Sequence, residues 1–131
     1  MRVVALDYGQ VRTGVAMSDP TGTIVRPVGV VEHVDESDGF ARLLEALEAE
    51  QPELVVVGLP VSLDGREHAQ AKRARAFARR LAAHTPCDVT LFDERFTTTV
   101  AAQRGGAAPL DARGAAVILE DYLRSHVAPA G

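Results

Sequence analysis

An α/β domain built on a mixed sheet with helices on both faces is the fold this chain predicts, and three observations predict it. Short valine- and isoleucine-rich segments at about 2–7, 13–18 and 23–31, separated by Gly9, Pro20 and Gly22, read as a three-strand antiparallel meander. After the meander, helical and strand patterns alternate, as they do where crossover helices join parallel strands. Leu54-Val55-Val56-Val57 is an unbroken apolar run, the signature of a strand buried on both faces. With 131 residues, 47% of them hydrophobic, the chain can build one core, so a single domain over 1–131 is expected.

The elements follow in order. The first strand, Val3-Val4-Ala5-Leu6, ends on Asp7, and a carboxylate at the tip of a buried strand must be paired, hydrogen-bonded or bound to a cation. Gly9 and Gly14 bracket the hairpin that follows, where backbone can approach an anion closely or take a positive φ. Taken alone, Asp7 reads equally as a turn residue bonded to its own loop amides. Over 36–50, Phe40, Leu43, Leu44 and Leu47 recur at helical spacing, and Pro52 ends that helix. The central strand at 54–57 runs into Gly58-Leu59-Pro60, and Asp64-Gly65 marks a turn. A second helix over 67–84 has Ala74, Phe77, Ala78 and Leu81 on its core face and Lys72, Arg73, Arg75, Arg79 and Arg80 opposite. The fifth strand, 89–92, leads into Asp93-Glu94-Arg95. A short helix over 97–104, a loop from Gly105 to Pro109 and a last helix over 111–126 complete the pattern, with Asp111, Ala115, Ile118 and Tyr122 on one face of the last helix.

Right-handed crossovers would align the ends of the first, fourth and fifth strands along one edge of the sheet, where sites of α/β proteins form. That edge gathers Asp7, the Asp93-Glu94 pair and Asp111 at the start of the last helix. Clustered carboxylates repel, and a bound divalent cation or a raised pKa relieves the repulsion. Oxygen ligands suit Mg²⁺, and a chain with one cysteine and no helical pair of histidines offers nothing to zinc. Singly, each acid has a plainer reading: Asp111 as a helix N-cap, Asp93 and Glu94 as solvated strand-end charges. Their coincidence favours metal-assisted hydrolysis of a phosphodiester.

Charge and composition narrow the partners. The net charge of −4 excludes attraction of nucleic acid to the whole surface, but the cationic stripe can hold a phosphate backbone locally. Lys72, Arg75 and Arg79 are its candidate contacts, and a solvated helix face is the alternative. Cys87 has no disulfide partner and reads as a small buried filler, and the four histidines read as surface residues. Without a run of about 20 apolar residues or a signal segment, no membrane association is expected and the location is cytoplasmic.

Four ordered motifs carry a resemblance. Leu6-Asp7-Tyr8-Gly9 with Arg12-Thr13-Gly14-Val15-Ala16, then Val57-Gly58-Leu59-Pro60 with Asp64-Gly65, then Asp93-Glu94-Arg95-Phe96-Thr97-Thr98, then Asp111 with Ala115-Ala116-Val117-Ile118-Leu119 together resemble the YqgF (RuvX-type) family over nearly the whole chain. The resemblance implies an RNase H-like fold and a nuclease dependent on Mg²⁺ or Mn²⁺. The family is described as processing the 5′ end of precursor 16S rRNA in ribosome biogenesis, and also as a Holliday junction resolvase. Carried over by motif, Asp7, Asp93, Glu94 and Asp111 are catalytic. Asp7, Glu94 and Asp111 hold metal, Glu94 being preferred to Asp93, and Arg12, Arg95, Thr97 and Thr98 position substrate. One departure stands out: the fourth strand ends in Gly58-Leu59-Pro60, where wider RNase H-like resolvases carry an acid.

The leading expectation is an endonuclease acting on structured RNA, as monomer or homodimer. Cleavage of branched DNA is the alternative enzyme, and the missing fourth-strand acid motivates a non-catalytic nucleic-acid scaffold. An ATP-handling domain is disfavoured, because 131 residues leave no second domain to close over a nucleotide.

Overall fold

The computed structural model describes residues 1–59, 69–93 and 110–126; the side chains of 110–113 and 126 also lie outside the described set. Five strands form one sheet: β1 (Val3–Asp7), β2 (Arg12–Ser18), β3 (Val25–Glu32), β4 (Leu54–Leu59) and β5 (Asp88–Asp93). Three described helices accompany them: α1 (Ser37–Glu50), α2 (Ala69–His84) and α3 (Leu110–His126). The sheet order is β3-β2-β1-β4-β5, with β1, β2 and β3 antiparallel in sequence and β4 and β5 parallel to β1. The expected mixed five-stranded sheet is present. The expected short helix at 97–104 and the Asp64-Gly65 turn lie outside the described residues.

Burial follows the strand patterns. In β1, Val3 to Leu6 are all buried, and β4 is buried from Val55 to Leu59, so the apolar runs occupy the sheet centre. β3 lies at an edge and is mostly open, protected by Pro27 and by its own bulge at Val28, where the pairing steps from Val15–Gly29 to Ala16–Pro27. Between β2 and β3, Asp19 closes the turn. Its carboxylate accepts from the Thr21 hydroxyl at 2.7 Å and from the Thr23 and Ile24 amides at 2.9 and 3.1 Å. These donors, the Thr21 hydroxyl foremost, hold its pKa down at about 2.

Two apolar layers flank the sheet. On one side Val4, Leu6, Val55 and Val57 pack against Phe40, Leu43 and Leu47 of α1 and Ala74, Phe77 and Leu81 of α2. On the other, Val3, Ala5 and Val56 meet Ala115, Ile118 and Leu119 of α3. Period-two alternation therefore assigns each strand residue to a helix layer. Helix α1 begins one residue later than its pattern predicts: Glu36 is the N-cap, without a side-chain cap bond. It ends on Gln51, which is left-handed at φ 48° and returns its N–H to Leu47 O.

Candidate acid site at the strand ends

Asp7 is the last residue of β1 and stands opposite Gly14 of β2. Leu6 belongs to the layer under α1 and α2, so Asp7 falls to the α3 layer and Tyr8 returns to the first. On the α3 side the carboxylate lies against Gly114: a Cβ placed there would be 2.5 Å from Asp7 Oδ2. Asp111 is three residues earlier, so one helical turn sets its position above Asp7 on the same face of α3. Two of the predicted acids thus belong to one corner of the molecule, Asp111 by its backbone place.

The β4 neighbour completes that corner. Leu6 pairs with Val57 and Gly58 pairs with Phe92, so Gly58 falls beside Asp7 on the α3 side, one register step on. It is buried there and contributes no side chain between β1 and β5. Asp93 pairs with Leu59 and follows Leu91, a residue of the α1–α2 layer. Alternation therefore separates Asp93 from Asp7 by the sheet itself. Glu94, Arg95, Thr97 and Thr98 lie outside the described residues, and among the described residues no three metal-ligating side chains come together.

The loop beyond Asp7 is held tightly. Thr13 is fully buried, and its hydroxyl donates to Gly9 O at 3.2 Å and accepts from Gly9 N at 3.3 Å. A Cβ on Gly9 would overlap Arg12 O, so this glycine is required by close approach. The expectation of positive φ at Gly9 or Gly14 is corrected: among the described glycines only Gly22 is left-handed. Arg12, at the start of β2, is exposed on the rim of the same loop.

Behind the site, Tyr8 is anchored in the opposite layer. Its ring stacks on Phe77 at 4.8 Å between centroids, its hydroxyl donates to Asp35 Oδ2 at 2.5 Å, and Gln70 Nε2 donates to its carbonyl at 3.4 Å. Burial first, then the Asp35 carboxylate, push the Tyr8 pKa well above its usual value, with Arg73 opposing. Sequence reasoning missed Tyr8, Asp35, Thr13 and Gly114 as supports. Only Gly114 carried a local signal, since a glycine inside a helix costs about 1 kcal/mol against alanine and so marks a close approach.

The cationic stripe of α2 is corrected from one face to two. Arg80 lies 3.9 Å over the Phe40 ring and donates to Asp35 O at 3.2 Å, which ties it to the α1 side. Arg75 and Arg79 instead border a groove along β5 with Val89, Thr90 and Leu91. Lys72 is exposed one turn before Arg75. Cys87 is half-buried rather than fully buried, its Sγ 3.1 Å from Thr85 Oγ1. It lines a groove of about 750 Å³ with Leu44, Leu47 and Pro86 at the far end of the sheet from Asp7, so cavity size does not locate the acid site.

A mixed sheet in this order, with an acid at the tip of its central strand and a helix crossing above that acid, is the RNase H-like arrangement. The family described as RuvX, Holliday junction resolvase, matches residues 1–125, and the chain belongs to it. A relative from Anaeromyxobacter sp. (strain Fw109-5), provisionally named a pre-16S rRNA nuclease, is 40% identical over 94% of this chain and 96% of its own. One from Bordetella pertussis with the same name is 38% identical over 92% of both chains. Among solved structures, Thermus thermophilus RuvC in complex with a Holliday junction superposes with a TM-score of 0.61 at 20% identity, covering 98% of both chains. The fowlpox virus Holliday junction resolvase gives 0.56 at 12% identity over 95% of this chain and 99% of its own. These two likenesses are of fold. Family and relatives together make the protein a hydrolase of the nuclease class. No described helix is long and apolar enough to cross a membrane.

Proposed function

We propose that this protein is a divalent-metal-dependent endonuclease that processes the 5′ end of precursor 16S rRNA in the cytoplasm. The observation that carries the catalytic half is the approach of α3 to Asp7 at Gly114, which brings the Asp111 position above that carboxylate. The names of the relatives support the substrate.

The donors fit a hard cation. Asp7, Asp111 and Glu94 offer carboxylate oxygens of the kind Mg²⁺ or Mn²⁺ takes. Glu94 is preferred to Asp93 because β5 sets Asp93 on the opposite side of the sheet from Asp7. Bound there, the ion supplies stabilisation of charge on the phosphate and activation of water. The chain's own groups do the rest. Asp7 is held on a buried strand, so its carboxylate is oriented before substrate arrives. Arg12, on the loop closed by Thr13, and Arg95, Thr97 and Thr98 on the chain after β5 position the strand to be cut. Lys72, Arg75 and Arg79 hold phosphates farther along and set register rather than sequence.

A second reading, resolution of branched DNA, is favoured by the family description. It calls for a homodimer, since symmetric cutting of two strands needs two sites.

One experiment separates these readings. Wild type, Asp7→Asn, Glu94→Gln and Asp93→Asn are incubated with precursor 16S rRNA and with a four-way DNA junction, with Mg²⁺ or Mn²⁺, and the cuts are mapped. The expected result is cleavage of the RNA near the mature 5′ end, abolished in Asp7→Asn and Glu94→Gln with binding retained, and largely preserved in Asp93→Asn. Cuts confined to the junction would replace the first reading with the second. Absence of cutting by wild type, with no Asp7-dependent heat of metal binding, would leave only a scaffold.

A further inference from the structure

Gly114 lies inside α3, where an alanine would serve the helix better. The reason for a glycine is visible on its inner side. A Cβ there would stand 2.5 Å from Asp7 Oδ2 and 3.5 Å from Asp7 Cγ, the first well inside ordinary van der Waals contact. Being nearer the oxygen than the carbon, that Cβ would press on the outer side of Oδ2, where the oxygen presents its lone pairs.

We propose that Gly114 is a positioning residue of the acid site: its bare Cα lets α3 come close enough for Asp7 and Asp111 to share one divalent cation. The helix backbone then forms a wall on one side of the Asp7 carboxylate. The backbone on both sides is fixed, so relief of a collision falls first to the Asp7 side chain, whose carboxylate must turn. Asp7 is carried by a strand whose residues 3–6 are buried, and Ala115, Ile118 and Leu119 fix α3 on that strand's neighbours. An added methyl group therefore turns the carboxylate or lifts the first turns of α3, and either movement separates Asp7 from the position of Asp111. The proposal rests on the metal-dependent reading above for its cation, but the contact itself is independent of it.

A four-way comparison tests both parts. Thermal unfolding without metal is measured for wild type, Gly114→Ala, Asp7→Ala and the double variant, and Mn²⁺ binding to wild type and Gly114→Ala is followed by calorimetry. Gly114→Ala is expected to raise Tm by less in the wild-type background than when Asp7 is already alanine, because only the helix preference then remains. Its Mn²⁺ affinity is expected to fall at least tenfold. An equal change in Tm in both backgrounds, or an unchanged Mn²⁺ affinity beside a wild type that binds, would overturn the proposal alone. A wild type that binds no Mn²⁺ would overturn the metal-dependent reading and the shared cation with it, leaving the thermal comparison to judge the contact. If Gly114→Ala fails to fold while the double variant folds, the contact with Asp7 is upheld.

Discussion

Tyr8 and Asp7 are adjacent in the chain and do opposite work on opposite sides of the sheet. Asp7 faces the α3 layer, and Tyr8 locks the strand tip from behind through Phe77 and Asp35. The phenol is kept neutral by burial and by the carboxylate it bonds, so its folded pKa lies above the ordinary 10.0. Stability from this group is complete below about pH 10 and declines as pH climbs from there toward the folded pKa. Tyr8→Phe is therefore expected to be less stable than wild type at pH 7, with the difference narrowing in urea melts taken above pH 10. A constant difference up to pH 11 would refute the coupling. Asp7 itself was legible because a charge ending an apolar run is conspicuous at any level of folding. Asp35 and Gly114 were not: the first meets Tyr8 across 27 positions, and the second is defined by a distance to a residue more than 100 positions away.

At the scale of elements, α1 shows what sequence periodicity captures and what it omits. Phe40, Leu43 and Leu47 are buried as their spacing predicts, with Leu44 half-buried beside them. Periodicity says nothing of how the helix meets the connection before it. Gly39 is pressed against the carbonyls of Glu32 and His33, and a Cβ there would overlap His33 O and stand 2.5 Å from Glu32 O. His33 is itself left-handed at φ 52°, so this backbone has little freedom to move away. Gly39→Ala should lower stability by about 1–3 kcal/mol despite the better helix former, as read from the midpoint of urea unfolding. A stabilised variant would mean that the connection yields. The division of the α2 cations likewise escaped the helical wheel. A wheel places Arg79 and Arg80 together on the outer side, whereas the neighbours on each flank, β5 for one and Phe40 for the other, decide what each can reach.

For the whole molecule, the strand order followed from simple rules: hairpins make antiparallel neighbours, and helical crossovers make parallel ones on a consistent hand. The sheet β3-β2-β1-β4-β5 obeys them, which is why the edge that gathers the ends of β1, β4 and β5 could be named from the chain alone. The electrostatic arrangement is also a property of the whole: a chain of net charge −4 concentrates cations on one helix, with Arg75 and Arg79 on its β5 flank. If that line carries phosphates, Lys72→Glu with Arg79→Glu should weaken RNA binding at least tenfold at low salt. The slope of log K against log salt should become shallower by about two, with Asp7-dependent metal binding unchanged. An unaltered slope would remove α2 from the substrate path.

β1 is paired on both edges and covered on both faces. Its amides have no local opening by which to exchange with solvent, so they share the lifetime of the entire domain. Asp7 consequently hangs from the most slowly exchanging part of the protein. A carboxylate so mounted has its backbone anchored through every fluctuation short of global unfolding, so under the proposed function substrate and cation would come and go against a support that does not breathe.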